Sequence, residues 1–310
     1  MTIHPCFVGI DVSKAVLDLF ETWQGRSTQI ANASEPIAVL ATQWRQAGAF
    51  VVFEATGHYD EALRQGLDAA GVAYARVNPG RARHFARYAG FLAKTDRLDA
   101  RMLAEMARRG ALGTELPFDE EREALRLLHR RRDQLVAMRQ KERTRLTEAT
   151  HAIEKESLER HLAFLSADIA AIERQIAEAI KASPVLKDRE TRLRQVPGIG
   201  PVSAAALLAL MPELGQRSPK AIAALAGLAP FNCDSGQHRG QRQIAGGRKR
   251  VRDALYMAAV AASRSKSPFA AFYQKLKSAG KPTKLAFIAL ARKILITLNA
   301  ILRDGTSYAK

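Results

Sequence analysis

The 310-residue sequence predicts an α/β domain with a mixed sheet, then a long helical hairpin, then a mainly α-helical domain. Strand-like apolar runs are confined to the first 80 residues, and from about residue 119 the text changes to long charged helices with little Gly or Pro. A Pro-Gly-rich segment follows residue 184 and marks another change. We therefore expect four segments, residues 1–110, 111–185, 186–275 and 276–310.

The first segment begins with strands and continues as alternating helices and strands. Residues 6–20 (CFVGIDVSKAVLDLF) predict a strand, a tight turn at Ser13-Lys14 and a second strand. The apolar run at 49–55 (AFVVFEA) is typical of a buried central strand. A helix over residues 61–71, a strand over 72–78 and a helix from Lys94 to about Arg109 complete a mixed sheet with helices.

The second segment predicts two long helices. Apolar residues of the second helix recur at spacings of four and three, the seam of a coiled coil: Leu158, Leu162, Leu165, Ile169, Ile172, Ile176 and Ala179. An earlier helix over about 119–149 carries leucines less regularly. The two helices form an antiparallel hairpin or pair with another subunit, and the segment is a dimerising arm or a spacer.

The third segment opens with VPGIGPVSAAALLALM, residues 196–211. A Pro-Gly-Ile-Gly turn leading into a small-residue helix is similar to a helix-hairpin-helix motif, in which backbone N–H groups near Gly198 and Gly200 would meet a phosphate. A plain turn between two core helices is the alternative. Residues beyond Ser278 predict a basic, amphipathic final helix.

Charge points to a polyanionic partner. The chain holds 48 Lys and Arg against 31 Asp and Glu, a net charge of +17, and residues 232–310 hold 16 against 3. This excess favours nucleic acid, so we expect DNA among the partners. We expect no membrane association, because the long apolar run near the C-terminus is interrupted by Arg292 and Lys293, and no signal peptide, which predicts a cytoplasmic protein. Cys6 and Cys233 make neither a disulfide framework nor a zinc site.

Four carboxylates stand where simple strands and helices do not require them. Asp11 interrupts the strand GIDVS and Glu54 closes the strand VVFE, and these are the two places where we expect an acid to interrupt a strand. Asp96 and Asp99 lie three apart on a helix and share one face. Four such acids from two strands and a helix can bind two Mg²⁺ ions, which stabilise the oxygens of a phosphoryl transfer.

The ordered set of motifs resembles one known family. The segments GIDVSK, FEATG and KTDRLDA, then a helical hairpin, VPGIG and AGLAPFNCDSGQHRG, are together similar to transposases of the insertion-sequence-110 family, over roughly residues 6–275. The resemblance implies a RuvC-like (RNase H-like) N-terminal domain with the acidic tetrad Asp11, Glu54, Asp96 and Asp99. It also implies a C-terminal transposase domain whose nucleophilic serine falls on Ser235.

Family members cut and rejoin DNA through a covalent serine–DNA linkage. The resemblance also implies a structured guide RNA that pairs with target and donor DNA. It further implies a dimer to tetramer in which one subunit's carboxylates meet another's serine. It implies a bacterial, nucleoid-associated protein.

The basic stretch around Ser235 is suited to hold DNA. Gly236 permits close approach of backbone to DNA, and arginine forks bind phosphate oxygens; the residues expected to contact nucleic acid here are Arg239, Arg242, Arg248, Lys249 and Arg252. Metal held by the tetrad could activate the serine hydroxyl, because no Ser-His-Asp order is evident. Among the rival residues, Ser13, Ser203 and Tyr256 are interpreted as structural, and His238 as a phosphate contact or a surface residue instead of a base.

Three other functions fit parts of the sequence. A junction resolvase or nuclease would use water as the attacking group and need no serine. A sugar kinase of the actin-like fold would share GIDVSK but would require Gly-rich nucleotide loops in the second half. A non-catalytic nucleic-acid-binding scaffold would bind without metal-dependent cleavage.

Overall fold

The computed structural model describes residues 6–55, 57–91, 95–110, 112–232, 234–235, 238–239 and 242–308, with the backbone alone for residues 234, 235, 238 and 239. These residues form two compact units, Met1–Phe118 and Asp119–Lys310. Of the arm predicted over 111–185, residues up to Phe118 belong to the first unit, and the rest belongs to the second unit with both predicted segments that follow it.

The first unit is built on one mixed five-stranded sheet in the order β3-β2-β1-β4-β5. Its β1 and β2, and its β2 and β3, pair antiparallel, whereas β1, β4 and β5 run parallel. The elements, in chain order, are β1 (Phe7–Val12), β2 (Val16–Glu21), β3 (Arg26–Ala31), α1 (Ser34–Gln46), β4 (Phe50–Glu54), α2 (Glu61–Ala69), β5 (Ala73–Val77), α3 (Pro79–Tyr88) and α4 (Asp96–Arg109).

Alternate side chains of the central strands feed two cores on the two faces of the sheet. Val8 and Ile10 of β1 pack with Trp44 of α1 on one face. On the other face Val52 of β4 packs with Leu103 of α4. Both faces of the parallel strands are therefore covered by helices, which is why β4 reads as a continuous apolar run.

The mixed sheet and its main helices are as predicted from the sequence, and three elements were missed. The missed edge strand β3 alternates between exposed and half-buried residues, so its sequence RSTQIA lacks an apolar stripe. The missed helix α3 buries only Ala82 in its strongly basic sequence. The missed helix α1 was not recognised although it buries Ile37, Ala41 and Trp44 at helical spacing.

The second unit begins with a hairpin of two long helices, α5 (Glu120–Glu148) and α6 (Ala152–Ala182), joined by three residues. They pair antiparallel within the chain, since Arg132 Nη2 of α5 lies 2.7 Å from Glu173 Oε1 and Arg131 is 3.7 Å from Asp168. This finding favours the hairpin over pairing of either helix alone with another subunit.

The seam predicted for α6 is buried towards its C-terminal half. Leu165, Ile169 and Ile176 are buried, and Leu165 and Ile169 pack on Leu135 of α5. The other predicted seam positions are half-buried: Leu158, Leu162, Ile172 and Ala179. Ile180 replaces Ala179 as the last buried position, because the helix continues into the main core of the unit.

The remainder of the second unit is mainly helical. Its elements are α7 (Pro184–Arg194), α8 (Pro201–Leu210), α9 (Pro219–Leu225), β6 (Pro230–Phe231), β7 (Asp234–Ser235), β8 (His238–Arg239), β9 (Gln243–Ile244), α10 (Lys249–Ala262), α11 (Pro268–Ser278) and α12 (Thr283–Asp304). Leu125 of α5 and Ile180 of α6 lie in the same apolar core as α8, α10 and α12. The root of the hairpin and the C-terminal helices therefore form one unit.

One helix of the described residues, α12, is long and apolar enough to cross a membrane by length and composition. Ala286, Leu290, Ile294 and Leu298 at helical spacing are fully buried in the core of the second unit. Arg292 and Lys293 interrupt its apolar surface, and Lys293 lies over the ring of Phe272. Its apolar character is that of a core helix.

Candidate active site

Two of the predicted carboxylates meet at one edge of the sheet. The register of the parallel strands β1 and β4 pairs Ile10 with Phe53, so the next residues along are Asp11 and Glu54. Both strands present their carboxyl ends at the same edge because they run parallel. Asp11 and Glu54 are neighbours there on the face that α4 covers, and both are half-buried.

Helix α4 brings the other two carboxylates to that edge by direct contact with β1. A Cβ on Gly9 would lie 1.9 Å from the Ala100 carbonyl oxygen and 2.4 Å from the Ala104 nitrogen. Only glycine therefore permits the helix backbone to rest on the strand. The first turn of the helix, with Asp96 and Asp99, then lies beyond Gly9 in the direction of Asp11.

The start of α4 is fixed locally by its cap. Thr95 has extended backbone angles, and its Oγ1 accepts a hydrogen bond from Leu98 N at 3.3 Å. Asp96 and Asp99 fall in the first turn, where the helix dipole favours negative charge. This preference offsets part of the cost of holding several carboxylates together.

The charges of the other three acids act on the pKa of Asp11. Its pKa is raised to about 6 by burial first, and then by the charges of Asp96, Asp99 and Glu54. Like charges raise the pKa of a carboxyl group only when they are close. The structure thus brings all four sequence-predicted acids into one electrostatic group.

A fifth acid, Asp18, belongs to the same group and was missed. It lies directly across the antiparallel register from Asp11, is 5% exposed and contributes to the raised pKa of Asp11. Gln29 Nε2 of β3 donates to both of its carboxylate oxygens, at 3.0 and 3.1 Å. The expectation that only GIDVS and FEATG place an acid inside a strand was wrong, because VLDLF does the same.

The donor set has the chemistry that a hard divalent cation requires. Carboxylate oxygens are the ligands that Mg²⁺ prefers, and a cation would offset the repulsion among these carboxylates. Within the described residues no three Asp, Glu, His or Cys side chains form a ready cage for an ion.

The backbone of Ser235 lies in a small irregular region of the second unit. Ser235 in β7 pairs antiparallel with His238 in β8, and β6 pairs with β9 beside them. The side chains of Ser235 and Arg239 lie outside the described part of the chain, as does the whole of Gly236. Nine residues separate the end of this short hairpin from the basic start of α10.

Two of the predicted basic contacts also hold the fold together. Arg248 donates through both terminal nitrogens to Glu213, at 2.6 and 2.5 Å, and to the Leu210 carbonyl at 3.1 Å. Burial raises the pKa of the Glu213 carboxyl, but the hydrogen bonds and charge of Arg248 outweigh burial and hold it below its usual range. Arg252 donates to the Gly246 carbonyl at 2.7 Å.

The other two described basic contacts are more accessible. Lys249 pairs with Asp253 at 2.6 Å, and its side chain is 77% exposed. Arg242 is exposed and lines a groove with Pro230, Lys284 and Arg292. These two side chains remain the better placed of the set to reach a phosphate.

The two glycines of the predicted helix-hairpin-helix motif differ in how tightly their surroundings are packed. Gly198 has φ of +91°, and a Cβ there would lie 2.3 Å from the Ala258 carbonyl oxygen of α10. Its first role is therefore a turn packed tightly against α10. Gly200 caps α8 and has open space around it, so its backbone is accessible.

Comparison with known proteins identifies the class. A family model described as "Transposase IS116/IS110/IS902 family" matches residues 190–274, and a second described as "Transposase", for the DEDD type, matches residues 8–153. The pilin gene-inverting proteins of Moraxella lacunata and Moraxella bovis are each 30% identical over 318 aligned residues, covering 98% of either chain. These matches define a DNA-recombining enzyme, a transposase.

A further relative is an insertion element IS110 protein of Streptomyces coelicolor, 33% identical over 141 residues, which are 44% of this chain and 34% of that protein. The chain belongs to the IS110 family of transposases. Membership of the DEDD type implies dependence on a divalent metal ion and a DNA substrate.

Proposed function

We propose that this transposase cuts and rejoins DNA by attack of Ser235 on a phosphodiester that divalent metal ions have prepared at Asp11, Glu54, Asp96 and Asp99. The observation that carries the proposal is the convergence of these four acids, from β1, β4 and α4, at one sheet edge. Mg²⁺, as a pair of ions, is the metal we propose.

The fold that we propose for the first unit is RNase H-like, of the RuvC type. The order β3-β2-β1-β4-β5, with an antiparallel meander leading into parallel strands, supports it. We propose a catalytic domain over residues 1–110, a coiled-coil arm over 111–185, a serine domain with a helix-hairpin-helix motif over 186–275 and a basic final helix over 276–310.

The proposed chemistry is a transesterification. The Ser235 oxygen forms a bond to phosphorus and loses its proton, while the bond from phosphorus to the leaving strand breaks and that strand's oxygen takes a proton. One P–O bond replaces another, so the phosphoserine linkage keeps the energy needed for rejoining. When bound, divalent ions would neutralise charge on the phosphate oxygens and on the attacking and leaving oxygens.

The carboxylates themselves have two tasks in this scheme. They would hold the cations at the carboxyl edge of the sheet, and bound positive charge would offset their mutual repulsion. Asp11 is central because it lies between Glu54 of the next strand and the first turn of α4.

We propose DNA and a structured guide RNA as partners, bound by the basic surface of the second unit. The residues proposed to contact them lie in loops and at the start of α10: Gly198, Gly200, Gly236, Arg239, Arg242, Arg248, Lys249 and Arg252. We further propose a dimer to tetramer held by the helical arm. Exposed apolar side chains on the arm support this: Ile153 is 86% and Phe164 is 64% exposed. The expected location is the bacterial nucleoid.

Replacing Ser235 with Ala tests the proposal against a water-using nuclease. With an element-end DNA and Mg²⁺, the wild type should form a protein–DNA adduct that survives denaturing gels, whereas Ser235→Ala should form none and lose strand exchange. Asp11→Asn should bind DNA as the wild type does and cut nothing. Metal-dependent cutting by Ser235→Ala at the wild-type rate would establish the nuclease instead.

A further inference from the structure

A small polar pocket lies at the edge of the sheet where the two carboxylate-bearing strands end, on the face that α2 covers and opposite to α4. Its volume is about 330 Å³, and its lining includes Lys14, Asn32, His58, Tyr59, Glu61 and Gln65. Lys14 follows the end of β1, three residues after Asp11, and His58 lies four residues after Glu54. The pocket therefore adjoins both carboxylate-bearing strands, on the side where α2 begins.

One side chain ties the two walls of the pocket together. Asn32 Nδ2 donates to the Ser13 carbonyl at 2.9 Å and to the Tyr59 carbonyl at 2.8 Å. The Ser13 turn is itself closed by the Ser13 hydroxyl, which donates to the Val16 carbonyl at 2.8 Å. Asn32 thus fixes the turn that carries Lys14 relative to the loop that carries the two rings.

The loop that carries the rings of His58 and Tyr59 is anchored to β5. Asp60 is fully buried, and Arg76 of β5 donates to it from Nε at 3.0 Å and from Nη2 at 2.7 Å. His58 and Tyr59 are exposed, and their ring centroids are 4.1 Å apart. The backbone that carries the two exposed rings is therefore held by a buried ion pair and by the hydrogen bond from Asn32.

The side chains of the pocket match the parts of a nucleotide. The rings of His58 and Tyr59, called here the ring shelf, are tilted by 50° to each other, so a base can stack on the face of one of them. A lysine ammonium binds a phosphate, and Glu61 and Gln65 offer an acceptor and an amide to the edge of a base. The volume is at the lower end of ligand pockets, which suits one nucleotide rather than a duplex. A duplex would not expose the face of its base to Tyr59.

We propose that this pocket holds one unpaired nucleotide of the DNA strand next to the phosphodiester that is cut. The proposal rests on the proposed function for the position of the scissile phosphate. A strand whose phosphate lies at the carboxylates continues along the sheet edge and meets Lys14 and the ring shelf. Capture of that nucleotide fixes the register of the strand and keeps it unpaired for exchange.

Fluorescence of 2-aminopurine tests this inference in the full-length protein, with Ca²⁺ in place of Mg²⁺ to bind without cutting. The probes are an element-end DNA with 2-aminopurine in a short unpaired stretch beside the cleavage position, and the same probe with RNA in that stretch. Stacking on the shelf should quench the DNA probe. Tyr59→Ala should lower its affinity about tenfold, since a stacked base contributes that order of binding.

The controls separate stacking from folding. Tyr59→Phe keeps the ring and should keep the affinity and the quenching. Tyr88→Ala removes an aromatic ring that is 83% exposed elsewhere in the same unit, and should change neither. Lys14→Ala should lower the salt dependence of binding by about one phosphate contact. Circular dichroism and thermal melting confirm that the variants fold.

Each result bears on one proposal or the other. Equal affinity of wild type and Tyr59→Ala for the DNA probe overturns the pocket, even if the wild type cuts DNA through Ser235. Quenching of the RNA probe without quenching of the DNA probe overturns the assignment to the DNA strand. Failure of wild type to form an adduct, with Tyr59→Ala still tenfold weaker, defeats the proposed function and leaves the nucleotide pocket standing.

Discussion

Replacement of Gly9 with Ala should disable the active site without touching an acid. The new Cβ would lie 1.9 Å from the Ala100 carbonyl oxygen, whereas real contacts of this kind stay beyond 3.0 Å. The backbone of α4 must therefore retreat by more than 1 Å. Both partner atoms, at Ala100 and Ala104, are backbone, so no side chain can turn aside to make room.

The retreat carries Asp96 and Asp99 away from Asp11. A misplacement of about 1 Å at a reacting centre costs about 100-fold in rate, so we expect strand cutting by Gly9→Ala to fall by that factor. The packing of α4 on the sheet should lose about 3 kcal/mol, the upper end for an overpacked core. Single-turnover cleavage and chemical denaturation measure the two effects.

A matched variant gives the comparison. Gly113 lies in the same unit with nothing within 4 Å of a Cβ built on it, so Gly113→Ala should cut and unfold like the wild type. Cutting assays at 10 °C keep a destabilised Gly9→Ala folded. Wild-type cutting by folded Gly9→Ala would refute the reasoning, because the contact at Gly9 would then not set the positions of the acids.

Two further predictions follow from the charges. The pKa of Asp11 is about 6 in the folded protein and lower in the unfolded chain, so the folded state binds more protons between about pH 4 and 6. The free energy of unfolding, measured in EDTA, should therefore fall as pH rises through that window. Asp11 is half-buried and screened, so we expect a fall of about 1 kcal/mol, absent in Asp11→Asn; a flat profile for the wild type would contradict it. Arg248→Ala leaves Glu213, which is 9% exposed, without its main partner, and should cost about 2 kcal/mol in denaturant unfolding, whereas Lys249→Ala should cost under about 0.5 kcal/mol. Equal free energies of unfolding for these two variants would contradict the stabilising role of the Arg248–Glu213 pair.

Local pattern was enough for the elements that carry the acids. The run AFVVFEA predicts β4 because a strand covered on both faces must be apolar throughout. The spacing of Asp96 and Asp99 puts both on one helical face, and Thr95 gives the helix its cap. Each of these patterns lies within a few consecutive residues, so it can be recognised from the sequence alone.

Contacts between distant parts of the chain were beyond such patterns. Asp18 is an acid of the site only because β2 folds back on β1 in a register that sets it opposite Asp11. Asn32, from the end of β3, ties the Ser13 turn to the Tyr59 loop, and nothing in its neighbourhood announces that role. The sequence predicts Arg248 as a phosphate ligand, but in the structure its guanidinium binds the carboxylate of Glu213, 35 residues earlier in the chain.

The sequence by itself therefore determined the class of fold, the positive charge and the order of the acidic motifs, because propensity, periodicity and composition act over short stretches of chain. The tertiary structure alone decided that the acids share one sheet edge, that Gly9 is what lets α4 deliver two of them, and that a small polar pocket opens at that edge on the opposite face of the sheet. Strand register and helix docking are set by packing between residues far apart in the chain, and a single sequence does not record that packing.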